Sequence, residues 1–272
     1  MIDIIAHDGV TEWRFASRIS RLAGYTASAF LTSDGILIDT GIAACAREFA
    51  ALLDVTPVRG VIVTHHHEDH AGNVALVAAR GLPLWIAAAT RAQVTTVAPI
   101  RAYRGLTWQS MPPLRHPVLP FLPAPLETRL APGHCADHHI VWDPISHTLF
   151  SGDLFLGVAV RVAHHDEDLT AGIVSLNAAA ALEPVRMFCA HRGSVPTPAA
   201  ALRAKSAWTT ALMQTVAAEI AGGTDDATIL RRVMGRESAT GWASRGEYSR
   251  RNFIRAVRRS RSTTQAPLDK HD

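Results

Sequence analysis

A histidine-rich stretch that directly follows a short apolar run constrains this 272-residue chain more than any other segment. The run at residues 61–63 is β-branched, which predicts a buried strand. His65 and His67 are two residues apart, so in an extended segment both imidazoles point to one side, whereas on a helix they would lie about 200° apart. Asp69 and His70 are adjacent and can serve a second ion. We interpret the stretch as a loop that binds two metal ions; an ordinary histidine-rich loop is the alternative.

Strand and helix patterns alternate along the first two thirds of the chain, which predicts an α/β layer architecture. Residues 99–125 contain nearly half of the 15 prolines and are predicted to be an irregular crossover. We expect one domain over residues 1–198 and a C-terminal helical extension over residues 199–272. The extension has three helical patterns, which could pack on the core or form a helix-turn-helix-like unit. The last ten residues are predicted to be disordered.

Five motifs of this chain resemble those of the metallo-β-lactamase superfamily. The loop has the family's His-x-His-x-Asp-His spacing. Upstream, the motif ending in Asp39-Thr40-Gly41 resembles the one that closes an early strand. Downstream, the motifs around His134, Asp153 and His191 follow in the expected order. The resemblance implies an αββα sandwich, in which two sheets pack between outer helices. It also implies that Asp39 orients the metal loop.

The resemblance further implies a complete set of metal ligands. They are His65, His67 and His134 for the first ion, Asp69, His70 and His191 for the second ion, and Asp153 shared between both. Zinc is the expected metal because hydrolysis needs no redox change, although iron or manganese would accept the same donors. Asp69 is also expected to act in catalysis by orienting the nucleophile.

The expected activity is hydrolysis of an ester-like bond, such as a thioester or a lactone, by a metal-bound hydroxide. The segments 71–73 and 152–155 resemble the glyoxalase II-like branch, although its glutathione-binding residues have no match here. Lactonases of the family place a tyrosine near the reaction centre, and none of Tyr25, Tyr103 and Tyr248 is identified as its equivalent. A phosphodiesterase or nuclease on the same metal site is the alternative, because basic residues concentrate after residue 200.

Other polar residues are weaker candidates for a functional role. Arg161 could bind an anionic substrate group, and His164 or His165 could transfer protons. Cys135 follows a predicted ligand, but packing is the favoured interpretation, and the same holds for Cys189.

Composition limits the compartment and the partners. No apolar run reaches the roughly 20 residues of a membrane span, and the first residues lack the pattern of a signal peptide. Three cysteines are too few and odd in number for a disulfide framework, which fits a reducing cytoplasm. We therefore expect a cytoplasmic protein that acts on a small molecule without a membrane or nucleic-acid partner. Whether it forms a homo-oligomer is left open.

Overall fold

The computed structural model describes residues 1–265, with side chains up to residue 261. The described strands are β1 Ile2–His7, β2 Val10–Phe15, β3 Ala27–Thr32, β4 Ile36–Ile38, β5 Gly60–Val63, β6 Leu84–Ile86, β7 Glu127–Leu130, β8 His139–Asp143, β9 Thr148–Phe150, β10 Ala163–His164, β11 Arg186–Cys189, β12 Gly193–Ser194 and β13 Tyr248–Ser249. The described α-helices are α1 Arg18–Leu22, α2 Ala46–Val55, α3 Val74–Ala79, α4 Ala88–Thr96, α5 Ala102–Trp108, α6 Leu169–Ala180, α7 Pro198–Ala221, α8 Asp226–Ile229, α9 Ala239–Ala243 and α10 Arg250–Gln265.

Two large sheets form the centre of the molecule. The first sheet has the order β1-β2-β3-β4-β5-β6, and the second has the order β12-β11-β9-β8-β7. In the first sheet β4, β5 and β6 run parallel, and in the second β9 and β11 run parallel. The remaining pairs in both sheets are antiparallel. A separate two-stranded pair, β10 with β13, joins the second half of the chain to its C-terminal part.

The alternation of side chains along each strand separates two apolar layers. Ile36, Ile38 and Ile62 point between the sheets, where they meet Phe150 and Phe188 of the second sheet. The intervening residues of the same strands point outward toward helices.

Helices cover both outer faces. Phe49 of α2 and Val74 of α3 pack against the first sheet, and Leu176 of α6 with Leu202 of α7 packs against the second. The predicted αββα sandwich is therefore confirmed. No helix among residues 1–265 combines the length and apolar character that crossing a bilayer requires.

Because of the strand directions, the loops that carry Asp39 and predicted ligands lie at one edge of the sheets. Parallel strands end at the same edge of their sheet, so the segments after β4 and β5 are neighbours, as are those after β9 and β11. β7 runs in the same direction as β9, because both are antiparallel to β8. The residues that follow these five strands include Asp39, His65, His134, Asp153 and His191.

The proline-rich crossover differs from its prediction. Helix α5 forms between Pro99 and Pro112, a stretch without proline, so the expectation of a wholly irregular segment was wrong. The rest packs as a connection on the first sheet, where Met111 and Leu114 are buried. Helix α4 was not predicted either, because its apolar periodicity is weak.

The C-terminal extension packs onto the second half of the chain. Phe253, Ile254 and Val257 of α10 form an apolar cluster with Val216 of α7 and Ala163 of β10. The packed alternative was thus the better of the two, while the boundary at residue 198 stays a prediction. The expected disorder of the last ten residues concerns mostly residues 266–272, which lie outside the described part.

Candidate metal centre

The predicted ligands come together in two adjacent clusters. In the first, single donor atoms of His65, His67, His134 and Asp153 all lie within 4.8 Å of one another. In the second, donor atoms of Asp69, His70 and His191 do the same. The loop after β5 supplies members of both clusters, and the second sheet completes each of them. All seven predicted residues therefore converge across the interface between the two halves of the chain.

The carboxylate of Asp153 lies between the two clusters. Its Oδ2 is 3.3 Å from Nε2 of His134. Its Oδ1 is 3.2 Å from Nε2 of His70 and 3.2 Å from Nε2 of His191. Each oxygen therefore faces a different cluster, which is the arrangement a ligand shared by two cations needs.

Unpaired buried atoms test whether these residues fit metal ions. Within the described chain, His65 Nε2, His70 Nε2 and Asp153 Oδ1 are buried without a well-oriented hydrogen bond, although the last two lie 3.2 Å apart. Burying polar atoms without partners costs free energy, so such atoms are rare in folded proteins. They belong to imidazole and carboxylate groups, the donors that zinc binds. The donor set therefore fits a metal pair.

Asp39 and Thr64 fix the orientation of two imidazoles. Asp39 Oδ2 accepts from Nδ1 of His70 at 2.7 Å and from Oγ1 of Thr64 at 2.9 Å, and its Oδ1 accepts from the Thr64 backbone N–H at 2.8 Å. Oγ1 of Thr64 lies 3.1 Å from Nδ1 of His65. With Nδ1 engaged, both rings turn Nε2 toward the centre. Asp39 holds this position with a φ of 65°, which also ends β4 one residue earlier than predicted.

His138 supports the loop that carries Asp153. Its Nδ1 lies 3.1 Å from the carbonyl oxygen of Ala131, and its Nε2 accepts the backbone N–H of Asp153 at 2.9 Å. Both ring nitrogens are therefore used, which agrees with leaving His138 out of the ligand set. A Cβ at Gly152 would lie 2.6 Å from His138 Nε2, and Gly152 has a φ of +48°. Only glycine fits this position without strain.

The two clusters differ in the protonation that their surroundings favour. In the first, burial among other imidazoles lowers the pKa of His65 and His67 well below the ordinary value, and burial lowers that of His134 to about 3. In the second, burial opposes charge, but the carboxylates of Asp153 and Asp69 outweigh it and raise the pKa of His191 to about 9. The carboxylates of Asp153 and Asp39 likewise raise the pKa of His70.

A buried ion-pair network connects the metal loop to the C-terminal extension. Arg104 of α5 makes a bidentate pair with Glu68, with Nη2 at 2.6 Å from Oε2, and Nη1 donates to Glu247 Oε1 at 3.1 Å. Arg104 is 8% exposed, Glu68 3% and Glu247 6%. Glu68 lies between two predicted ligands in the sequence, so this network fixes the position of the metal loop. No local pattern in the chain indicated the network, because its members are distant along the sequence.

Asp137 makes a second link between the halves of the chain. It accepts from the backbone N–H of His66 at 3.0 Å and from Thr90 Oγ1 at 2.8 Å, and its Oδ1 lies 2.8 Å from Nδ1 of His66. His66, the loop histidine outside the predicted set, is thereby turned toward Asp137.

The structure shows where each of the weaker candidates lies relative to the two clusters. Arg161 donates to the carbonyl oxygen of Met234, and His165 is exposed beside Asp166, so neither lies in the two clusters. His164 is buried, with its ring centroid 6.3 Å from that of His67. Burial raises the pKa of the Cys135 thiol, which opposes its use as a thiolate. Cys189 is fully buried and its thiol donates to Phe155 O, which fits packing.

Two tyrosines lie closer to the centre than the sequence revealed. Tyr25 and Tyr248 line a cavity together with His134 and Asp153. Tyr248 comes from β13 of the extension, so only the folded chain brings it to this place. The sequence identified neither tyrosine as a residue of the site, because nothing local marks its position.

Comparison with known proteins agrees with this geometry. The chain is 31% identical over 142 residues to hydroxyacylglutathione hydrolase of Shewanella oneidensis and 30% identical over 148 residues to that of Shewanella sp. strain ANA-3. Each match covers 48% of this chain and 48% of the relative, so the chain spans about half the length of these curated relatives.

Solved structures share the fold. The metallo-β-lactamase FIM-1 from Pseudomonas aeruginosa, in a mono-zinc form, matches 77% of this chain and 95% of its own with a TM-score of 0.61 at 19% identity. A metallo-β-lactamase family protein from Thermus thermophilus matches 94% of both chains with a TM-score of 0.64 at 16% identity. Residues 28–191, more than half of the chain, match the family described as the metallo-beta-lactamase superfamily. The chain belongs to the metallo-β-lactamase superfamily.

Proposed function

We propose that this protein is a metal-dependent hydrolase of an ester-like bond, such as a thioester or a lactone, with two zinc ions as cofactor. The observation that carries the proposal is the Asp153 carboxylate, whose two oxygens face two separate clusters of donor atoms. The similarity to hydroxyacylglutathione hydrolases supports a thioester as substrate. The same ligands would accept iron or manganese.

Most of the site residues would hold the metal ions, and Asp69 would orient the nucleophile. His65, His67 and His134 would hold the first ion, and Asp69, His70 and His191 the second. When bound, such ions polarise a carbonyl oxygen and lower the pKa of a water to about 7, which provides a nucleophile at neutral pH. Asp69 would orient that nucleophile; its Oδ2 lies 3.4 Å from His191 Nε2 in the second cluster, which supports this role.

The basic extension does not favour the nuclease alternative. Arg258 pairs with Asp226, Arg261 donates to the carbonyl oxygen of Ala217, and Arg250 donates to that of Met234. These guanidinium groups already bond within the protein. A small molecule is the better-supported substrate class.

Metal removal tests the proposal. We expect protein stripped with EDTA to lose all measurable hydrolysis of a panel of thioesters and lactones, because no side-chain base replaces a metal-activated water. Adding back zinc should restore the rate, and metal content should be quantified in each sample. Full activity in protein with verified absence of metal would refute the proposal.

Binding of zinc to stripped protein should release protons at neutral pH. His191, with a pKa raised to about 9, is protonated at pH 7 in the metal-free protein, and an ion must displace that proton. The displacement of this one proton should therefore weaken the affinity for the second ion by about fiftyfold from pH 9 to pH 7. Calorimetric titration in buffers of different ionisation enthalpy measures the number of protons released. Zinc binding without proton release at pH 7 would show that His191 is not displaced.

A further inference from the structure

An apolar chamber opens beside the metal centre. The cavity has a volume of about 210 Å³ and is lined by His134 and Asp153 at the metal side. One part of its wall is aliphatic and includes Leu154, Leu156, Val162, Leu169, Ile173 and Leu176. Polar side chains of Tyr25, Asp168, Thr209 and Thr240 also line it. Phe253 of α10 and Tyr248 of β13 close it from the C-terminal extension. The chamber therefore continues directly from the proposed ligands into an apolar interior.

Helix α6 forms one wall of the chamber, and a close backbone contact fixes the position of this helix. Ile173 and Leu176 lie on the side of α6 that faces inward, whereas Val174 on the same helix is 65% exposed. The helix approaches the loop that carries His134, since a Cβ on Gly133 would lie 2.4 Å from the Cα of Gly172. This close approach fixes the distance between the α6 wall and the metal cluster.

The lining of the chamber also includes the charged side chains of Lys205, Glu167 and Asp168. Lys205 of α7 lines it and donates from Nζ to the carbonyl oxygen of Leu154 at 2.7 Å. Glu167 also lines it, and burial raises its pKa to about 7. A ligand group that enters this space exchanges water for aliphatic contact, which favours hydrocarbon over charge.

We infer that the ester-like substrate carries an aliphatic chain, which this chamber binds while the scissile bond lies at the metal centre. The inference rests on the proposed function for the position of the scissile bond, but it names the substrate class independently. It departs from the substrate named for the curated relatives, because glutathione carries two carboxylates and the chamber offers them one lysine beside the acidic Glu167 and Asp168. Ile173 and Leu156 are then the residues that determine chain length.

A series of probes with increasing chain length tests the inference. We propose N-acetylcysteamine thioesters with acyl chains of two to eight carbons as substrates of the zinc-loaded protein. The matching S-alkyl thioethers cannot be hydrolysed and report binding by calorimetry, with and without zinc. Affinity for the thioethers, and kcat/KM for the thioesters, should increase about fourfold per methylene until the chamber is filled.

Variants of α6 provide a matched pair. Ile173→Phe places extra volume in the chamber and should reduce the ratio of kcat/KM for the eight-carbon probe to that for the two-carbon probe at least tenfold. Val174→Phe adds the same ring on the exposed side of the helix and should leave the chain-length dependence unchanged. Leu156→Phe fills the chamber from the loop and replaces Ile173→Phe if thermal unfolding shows that variant to be misfolded.

The outcomes separate this inference from the proposed function. Chain-length-dependent thioether binding without turnover of either the thioesters or the lactone panel would support the chamber and contradict the hydrolase. Turnover with equal kcat/KM for all chains, together with no chain-length effect on thioether binding, would overturn the chamber and leave the hydrolase standing. A chain-length effect that Ile173→Phe and Leu156→Phe both leave intact would also overturn it.

Discussion

Replacing Asp153 by asparagine should remove at least one of the two zinc ions and lower kcat/KM by about a thousandfold, equivalent to about 4 kcal/mol of transition-state stabilisation. The side chain keeps its size but loses the charge and one of its two anionic oxygens. Because each oxygen faces a different cluster, the amide cannot serve both. Metal analysis after gel filtration and steady-state kinetics on the best substrate of the panel measure the two effects.

The exposed Asp166 supplies the control for this substitution. Asp166→Asn makes the same chemical change on a side chain that is 74% exposed and pairs with His165 on the surface. It should retain two ions and the full rate. If Asp153→Asn also retained two tightly bound ions, the shared role of Asp153 would be disproved.

Removing the charge of Arg104 should have the largest effect on stability. Arg104→Met leaves the buried carboxylate of Glu68 without its bidentate partner and takes one partner from Glu247. Breaking a buried pair from one side costs about 3–5 kcal/mol of the free energy of unfolding. Urea unfolding of the metal-free protein measures this loss. Zinc content should decrease as well, because Glu68 lies within the metal loop.

Two further variants test whether the cost comes from the orphaned charge. Adding Glu68→Gln to Arg104→Met should recover part of the lost free energy, since the uncompensated carboxylate is gone. Arg101→Met removes a further ion-pair partner of Glu247, from a side chain that is 52% exposed, and should cost less than about 1 kcal/mol. Equal losses for Arg101→Met and Arg104→Met would contradict the importance of burial.

The parts of the fold that could be predicted are those with local signals. The apolar run before His65 predicted β5, and the motif residues around it predicted which loops meet, because strand ends are marked by turn residues. The convergence of seven predicted residues needed no information beyond those motifs. In the same way, Ile173 and Leu176 are three positions apart, a spacing that puts both on one helical face, although the sequence does not reveal that this face borders a cavity.

The parts that could not be predicted depend on contacts between distant residues. Arg104 lies in a proline-rich segment with no charge pattern, and its partner Glu247 follows 143 positions later. Tyr248 reaches the cavity only because β13 pairs with β10. Such juxtapositions arise from packing of the whole chain, and no local periodicity reports them.

The most direct test of the two-ion centre is a crystal structure of zinc-loaded protein with anomalous diffraction data recorded on both sides of the zinc absorption edge. Two anomalous peaks are expected, one among His65, His67 and His134 and the other among Asp69, His70 and His191, with Asp153 in contact with both. A single peak that Asp153 does not touch, or no peak within these clusters in protein shown to contain zinc, would contradict the account.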